Sequence, residues 1–273
     1  MADIKRFLVA AAQMASGPHV DANLQEARRL ISQASEAGAS LVALPENFAF
    51  MGYGETDKLK FAEADGCGII QDFLSAQAHK HGIFLVGGTV PISTAGGAKI
   101  RPTAPVYGPD GRCWGRYDKI HLFDVEVAPG EAYRESEVQQ GGTEPLLLET
   151  PLGRIGLAVC YDLRFPELFR ELAKRGMELL VVPSAFTAVT GEAHWNLLVR
   201  TRAVENLCYV VAPDQGGYHV NGRETHGESM VVDPWGGVMQ SLSSGSGIAL
   251  GEVDLQRLDE IRTRFPALNH RKL

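Results

Sequence analysis

No part of this sequence holds an apolar run near the roughly 18 residues of a membrane-spanning helix, so it does not read as a membrane protein. The compact motifs of several enzyme classes are missing as well. There is no Gly-x-Gly-x-x-Gly, no P-loop, no His-Glu-x-x-His and no Gly-x-Ser-x-Gly. Their absence removes the usual signatures of dinucleotide binding, phosphate cradling, zinc proteolysis and serine hydrolysis. Cysteine is scarce, with four in 273 residues: Cys67, Cys113, Cys160 and Cys208. None forms a Cys-x-x-Cys pair or neighbours a histidine cluster, which argues against a zinc site. They read as reduced thiols of a cytoplasmic protein. Basic excess is absent too, since 26 Lys and Arg face 33 Asp and Glu for a net charge of −7. That balance argues against nucleic acid or an anionic membrane as partner. No repeat at solenoid periods and no low-complexity linker breaks the chain, so one domain over residues 1–273 is expected.

What is present is an alternation of strand and helix signals. Lys5-Arg6 followed by Phe7–Ala12 looks like the start of a signal peptide. Its apolar run falls short of the ~7–15 residues such a segment needs, and a first core strand is the better reading. Asp21 is placed to cap a helix with Leu24, Ala27, Leu30, Ile31 and Ala34 on its apolar face. Leu41–Leu44 reads as a strand, 69–79 as a helix, and Ile83–Val86 as a strand stopped by Gly87-Gly88. Val106–Trp114 reads as a hairpin turning at Pro109-Asp110-Gly111. A long irregular loop is expected over 123–143. The second half repeats the pattern: strand 155–160, helix 166–175, strand Leu179–Val182, helix 192–206, strands Tyr209–Ala212, Met230–Val232 and Gly247–Val253, and a last helix over 255–264. This is an α/β pattern in two similar halves.

Cys160 is the residue with most to say about chemistry. It follows the apolar stretch Ile155–Val159 and precedes a helix start at Pro166-Glu167. A thiol at the carboxyl end of a strand is where an α/β sheet places a nucleophile. The alternative is an inert buried cysteine. A histidine is the common activator of such a thiol, and His121, His194 and His226 are candidates that position does not separate. Two other residues also sit at strand ends: Glu46 in Leu44-Pro-Glu46 and Lys119 in Tyr117-Asp-Lys119-Ile-His. Taken singly, each reads as a solvated surface charge. Taken with Cys160 they form a chemically complete set. The lysine lowers the thiol pKa and holds an oxyanion, and the glutamate moves the proton. Arg164, four residues after Cys160, has the fork geometry to clamp a carboxylate or 2-oxo acid, or else pairs with Asp162 or Glu167 at the surface.

These segments, in this order, resemble the nitrilase superfamily of carbon–nitrogen hydrolases. Leu44-Pro-Glu46, Tyr117–Asp124 and Gly156–Glu167 carry the resemblance, which spans nearly the whole chain. Ser184–Trp195 and His226–Gly236 are similar to its Nit branch. The resemblance implies a four-layer α-β-β-α sandwich that dimerises through its helical layers. It implies a Glu46–Lys119–Cys160 triad, an oxyanion donor at the Tyr161 backbone N–H, and no metal or organic cofactor. A supporting glutamate is best matched by Glu135, although Glu126 and Glu131 lie in the same loop. Arg164, Phe186 and Thr190 match residues that hold a 2-oxo acid head. The implied substrate is a small amide with such a head. Hydrolysis of deaminated glutathione to 2-oxoglutarate and Cys-Gly is favoured by Ala203–Ala212, Gln215–Gly227 and Ser229–Trp235. The alternatives are ω-amidase action on 2-oxoglutaramate, another amidase such as a carbamoyl hydrolase, or a non-catalytic scaffold. Asp214 departs from the pattern at a position expected to border the pocket.

Overall fold

The computed structural model describes residues 5–272, so Met1–Ile4 and Leu273 of the expected domain lie outside the described part. The first half runs β1 (Arg6–Gln13), α1 (Val20–Glu36), β2 (Ala39–Ala43), α2 (Ile69–His81), β3 (Phe84–Val86), β4 (Val90–Ser93), β5 (Ile100–Tyr107) and β6 (Cys113–Asp118). A hairpin of β7 (Asp124–Ala128) and β8 (Glu131–Arg134) leads into the one-turn helix α3 (Glu135–Val138). The second half runs β9 (Leu147–Thr150), β10 (Gly153–Leu157), α4 (Pro166–Lys174), β11 (Leu179–Val181), α5 (Ala188–Asn206) and β12 (Tyr209–Ala212). A small hairpin of β13 (Gly216–Tyr218) and β14 (Glu224–His226) follows, then β15 (Met230–Val232), β16 (Val238–Ser241), β17 (Gly247–Asp254) and α6 (Leu255–Arg264).

These strands form two sheets. One has seven strands in the order β17-β1-β2-β3-β5-β4, with β6 on β5, and the other has six in the order β16-β15-β12-β11-β10-β9. In each sheet the central strands are parallel, β1-β2-β3 and β10-β11-β12. Parallel strands are buried on both faces and therefore read as unbroken apolar runs. β1 shows this directly. Val9 and Ala11 belong to the core between the sheets, while Ala10 and Ala12 belong to the core under the helices. β2 repeats it, with Leu41 and Ala43 on one side and Val42 on the other. α1 and α2 cover the outer face of the first sheet, and α4 and α5 cover that of the second. The architecture is the α-β-β-α sandwich expected.

Several boundaries differ from the sequence reading, each for a local reason. α1 starts at Val20 without a side-chain cap, and Asp21 instead lies in its first turn, where its charge suits the helix dipole. α5 starts four residues early because Thr187 Oγ1 caps it, accepting the Thr190 N–H at 3.3 Å. The 155–160 strand ends at Leu157, and Cys160 opens a 3₁₀ turn. The segment 123–143 is not irregular, since it holds β7, β8 and α3. Its short strands carry Glu and Asp at high density, which hides their alternation. Gly88 has a φ of +55°, and a side chain there would run into the Pro45 carbonyl. The exit of β3 therefore packs closely on the end of β2.

Gly191 gives a test of this packing. It is buried in α5, and a Cβ there would meet the His226 side chain. Gly191→Ala gains about 1 kcal/mol of helix propensity but overpacks a well-filled contact at a cost of about 1–3 kcal/mol. The variant is expected to unfold at lower urea than wild type, and a higher midpoint would contradict this packing.

Candidate active site

The carboxyl ends of the parallel strands meet at one place between the two sheets. β2 delivers Pro45-Glu46, β10 delivers Cys160, β11 leads into Ser184–Thr187, and β12 leads into Asp214-Gln215. Gln215 ties these ends together. Its Nε2 donates to Ser16 Oγ at 2.8 Å and to the Glu46 carbonyl at 3.0 Å, and its Oε1 accepts the Ser16 N–H at 3.0 Å. Gln13, from β1, accepts the Ser229 N–H at 2.8 Å.

A narrow cavity lies there. It is lined by Glu46, Lys119, Glu135, Cys160, Tyr161, Arg164, Phe186 and Thr190, the eight residues that the family resemblance implies for the site. Asn47, Phe123, Ala185, Thr187 and Arg223 line it too and were not foreseen. No histidine lines it among the described residues. His121 is turned away to Asp162, and His194 Nδ1 lies 3.2 Å from Arg164 Nη1. The Cys–His alternative is therefore not formed.

Lys119 is fully buried and reaches two carboxylates. Its Nζ donates to Glu46 Oε1 and to Glu135 Oε2, each at 2.8 Å. Of the three candidates Glu126, Glu131 and Glu135, Glu135 is the one that meets the lysine. Glu131 instead accepts from the Tyr133 hydroxyl at 2.8 Å. Glu135 Oε2 also accepts the Phe123 N–H at 2.9 Å. Burial opposes the lysine charge, but Glu135 and Glu46 outweigh it and hold the ammonium well above its ordinary pKa. Burial likewise opposes the Glu135 charge, and Lys119 with Lys58 outweighs it, leaving that carboxyl below its usual range. Lys119 remains a cation and Glu135 an anion.

The nucleophile candidate differs from expectation in one respect. Cys160 was read as a thiol acidified by lysine. Burial, with the Glu46 charge next, pushes its pKa well up, against a smaller downward pull from Lys119 and the Ala185 N–H. The resting group is a thiol, not a thiolate. Its backbone is also unusual, with a φ of +48°. A left-handed cysteine costs about 1–2 kcal/mol, so the surroundings must enforce it. Its N–H donates to the Pro183 carbonyl at 3.0 Å. Asp162 is fully buried and accepts four bonds: Tyr117 Oη at 2.7 Å, His121 Nδ1 at 2.6 Å, His121 N–H at 3.0 Å and Val159 N–H at 2.8 Å. Arg202 of α5 donates twice to the Leu163 carbonyl, at 3.0 and 2.6 Å. These bonds fix the turn on both sides. Within it, the Tyr161 N–H sits at the start of a 3₁₀ helix, where leading N–H groups lack intrahelical acceptors.

Arg164 pairs with neither Asp162 nor Glu167. Its guanidinium lies 5.8 Å from the Tyr161 ring centre and 5.6 Å from that of Phe186, a cation–π setting. Asp214 does not border the cavity. It is fully buried below it, and its Oδ1 accepts the Phe186 N–H at 2.9 Å. Its Oδ2 has no hydrogen-bond partner, and burial pushes its pKa well up. A neutral Asp214 thus positions Phe186.

A buried lysine between two glutamates, beside a thiol at a strained strand end, is a layout for acyl transfer without histidine. Comparison with known proteins gives the family. Residues 8–263 match the model of the carbon–nitrogen hydrolase family. The chain belongs to that family. This hydrolase is 44% identical over 271 residues to a deaminated glutathione amidase of Synechocystis, covering 98% of this chain and 99% of that protein. Among solved structures, the NitFhit protein of Caenorhabditis elegans superposes with a TM-score of 0.92 at 40% identity, covering all of this chain and 66% of that one. Nit3 of Saccharomyces cerevisiae, a member of branch 10 of the nitrilase superfamily, gives 0.89 at 32% identity, with both chains fully covered.

The ion triplet makes a prediction with a definite sign. Lys119→Met leaves two carboxylates buried without their cation, which costs about 3–5 kcal/mol at neutral pH. One of them then has its folded pKa raised above the unfolded value. Such a group destabilises above the unfolded pKa and is relieved as pH falls through the folded one. In wild type Glu135 is shifted the other way and loses its contribution as pH falls. Urea unfolding at pH 7 and pH 5 is expected to show the variant gaining stability on acidification and wild type not gaining. A variant that lost stability in acid like wild type would refute the arrangement.

Proposed function

We propose that this carbon–nitrogen hydrolase is an amidase that cleaves deaminated glutathione to 2-oxoglutarate and Cys-Gly through a cysteine thioester. The observation that carries the reading is the Lys119 ammonium held 2.8 Å from both Glu46 and Glu135 in the cavity that also holds Cys160. Cys160 Sγ attacks the amide carbonyl while its proton passes to Glu46. The raised thiol pKa makes this transfer part of the attack. Lys119 and the Tyr161 N–H hold the oxyanion, and one such donor is typically worth ~2.7–4 kcal/mol in the transition state. Glu46 returns the proton to the leaving amine, and the amine departs. Water, deprotonated by Glu46, then opens the thioester, releasing the acid, and Glu46 returns that proton to the departing Cys160 sulfur. Glu135 keeps Lys119 charged and oriented.

Arg164 takes the carboxylate of the 2-oxo acid head, with Phe186 and Thr190 as its walls. Thr190 Oγ1 and Thr187 Oγ1 are 2.8 Å apart, so these hydroxyls present a joint polar edge. The preference for deaminated glutathione is supported by the name of the Synechocystis relative. ω-Amidase action on 2-oxoglutaramate is the second reading, since it shares the acyl half and differs only in the leaving amine. The four cysteines are free thiols, which fits a cytoplasmic setting. No helix among the described residues is long and apolar enough to cross a membrane.

Comparing kcat/KM for the two substrates tests the assignment, with deaminated glutathione expected to be higher. Cys160→Ala is expected to lower kcat by roughly 10⁴-fold or more with unchanged thermal unfolding. Comparable turnover by that variant would remove the nucleophile, and a higher value for 2-oxoglutaramate would move the substrate.

We also infer a homodimer through the helical layer of the second sheet. Leu197 and Val204 of α5, Trp235 and Phe265 are large, apolar and about half or more exposed, at 65, 48, 60 and 52%. Sedimentation equilibrium is expected to give twice the chain mass, and Leu197→Glu combined with Val204→Glu to give the single chain mass. A wild-type monomer would exclude the assembly.

A further inference from the structure

Arg223 sits where two spaces meet. It lines the inner cavity with Cys160 and also lines an outer vestibule formed by Tyr53, Tyr133, Val189, Asn221 and Glu224. One arm of its guanidinium is fixed, with Nη2 donating to the Ala185 carbonyl at 2.5 Å. Its central carbon lies over the Tyr133 ring, 5.0 Å from the ring centre. The rest of the group has no protein partner. Nε is buried without an acceptor, and Nη1 donates to no protein atom among the described residues. No carboxylate pairs with it there either. Glu55 is taken by Lys58 at 2.8 Å, and Glu131 accepts from Tyr133. Buried polar groups are nearly always satisfied, so a tethered guanidinium with idle donors at a cavity mouth calls for an acidic partner that arrives from outside.

The chemistry of the substrate supplies one. Resting on the proposed function, the acyl half occupies the inner cavity and its carboxylate is held by Arg164. The leaving half must then extend toward the vestibule, past the one residue common to both spaces. We propose that Arg223 binds the terminal carboxylate of the leaving dipeptide and so selects peptide-bearing 2-oxo acid amides over those that release ammonia. The assignment makes Arg223 the specificity residue for the amine product. The Tyr133 ring and the Ala185 carbonyl hold the guanidinium in place.

Three substrates separate the possibilities: deaminated glutathione, the same molecule with its terminal carboxylate replaced by a carboxamide, and 2-oxoglutaramate. Wild type is expected to favour the acid over the carboxamide by roughly 10- to 100-fold in kcat/KM, the scale of a hydrogen bond to a charged group. Arg223→Gln is expected to bring that ratio close to one. A merely structural role, through Ala185, would slow both substrates alike and leave the ratio as in wild type, and that outcome overturns the inference. Equal rates of wild type on acid and carboxamide overturn it without any variant. If wild type hydrolyses only 2-oxoglutaramate, the proposed substrate falls first, and the role of Arg223 falls with it.

Discussion

The site is organised by one buried cation. Lys119 lies at no measurable exposure between Glu46 and Glu135. An ammonium in such a place is tolerable only when neighbouring carboxylates neutralise it and fill its donors. That requirement recruits three distant parts of the chain: the end of β2, the end of β6 and the first residue of α3. None of these segments has reason to converge for its own sake. Once they do, the lysine is obliged to remain charged, and an obligatory charge 2.8 Å from a proton acceptor suits stabilising an oxyanion. The same demand that makes the triplet hard to bury makes it chemically useful.

Much of this was legible in the chain. Glu46 and Cys160 announce themselves because each follows a short apolar run and strand ends converge in parallel sheets, whereas Lys119 follows the polar run Gly115–Asp118 and is marked only by the segment Tyr117-Asp-Lys119-Ile-His. Arg164, Phe186 and Thr190 follow from the resemblance at Ser184–Trp195 and the nucleophile segment. Other features carried no such mark. Asp162 reads as an ordinary loop acid, yet it is fully buried with four donors on it. Its role comes from Tyr117 and His121, more than forty residues away in sequence, and no local pattern encodes that. Arg223 lies in a polar hairpin whose composition says only turn. The 123–143 segment reads as irregular because its two strands, five and four residues long, lie at the short end of the roughly 4–8 residues over which alternation marks a strand and stand in a run dense in Glu and Gly.

The thiol itself was misjudged for an instructive reason. Lysine beside cysteine favours thiolate when the pair is near water. Here desolvation comes first and the Glu46 charge second, and both act against the lysine. A sequence displays neighbours but not dielectric. In the proposed mechanism the nucleophile is therefore stored as a thiol until substrate places a carbonyl against it and Glu46 takes the proton. Such storage also limits oxidation, since the thiolate is the species that oxidants attack.

The left-handed backbone at Cys160 narrows what evolution can put there. At a φ of +48° a β-branched side chain suffers steric conflict that an unbranched one largely escapes. Serine and alanine fit this corner, but threonine and valine do not. The fold has thus closed one of the three common hydroxyl or thiol nucleophiles to itself before chemistry is consulted. Any descendant of this chain that changes its reaction must do so through a small unbranched residue at position 160, or must first rebuild the turn that Asp162 and Arg202 hold shut.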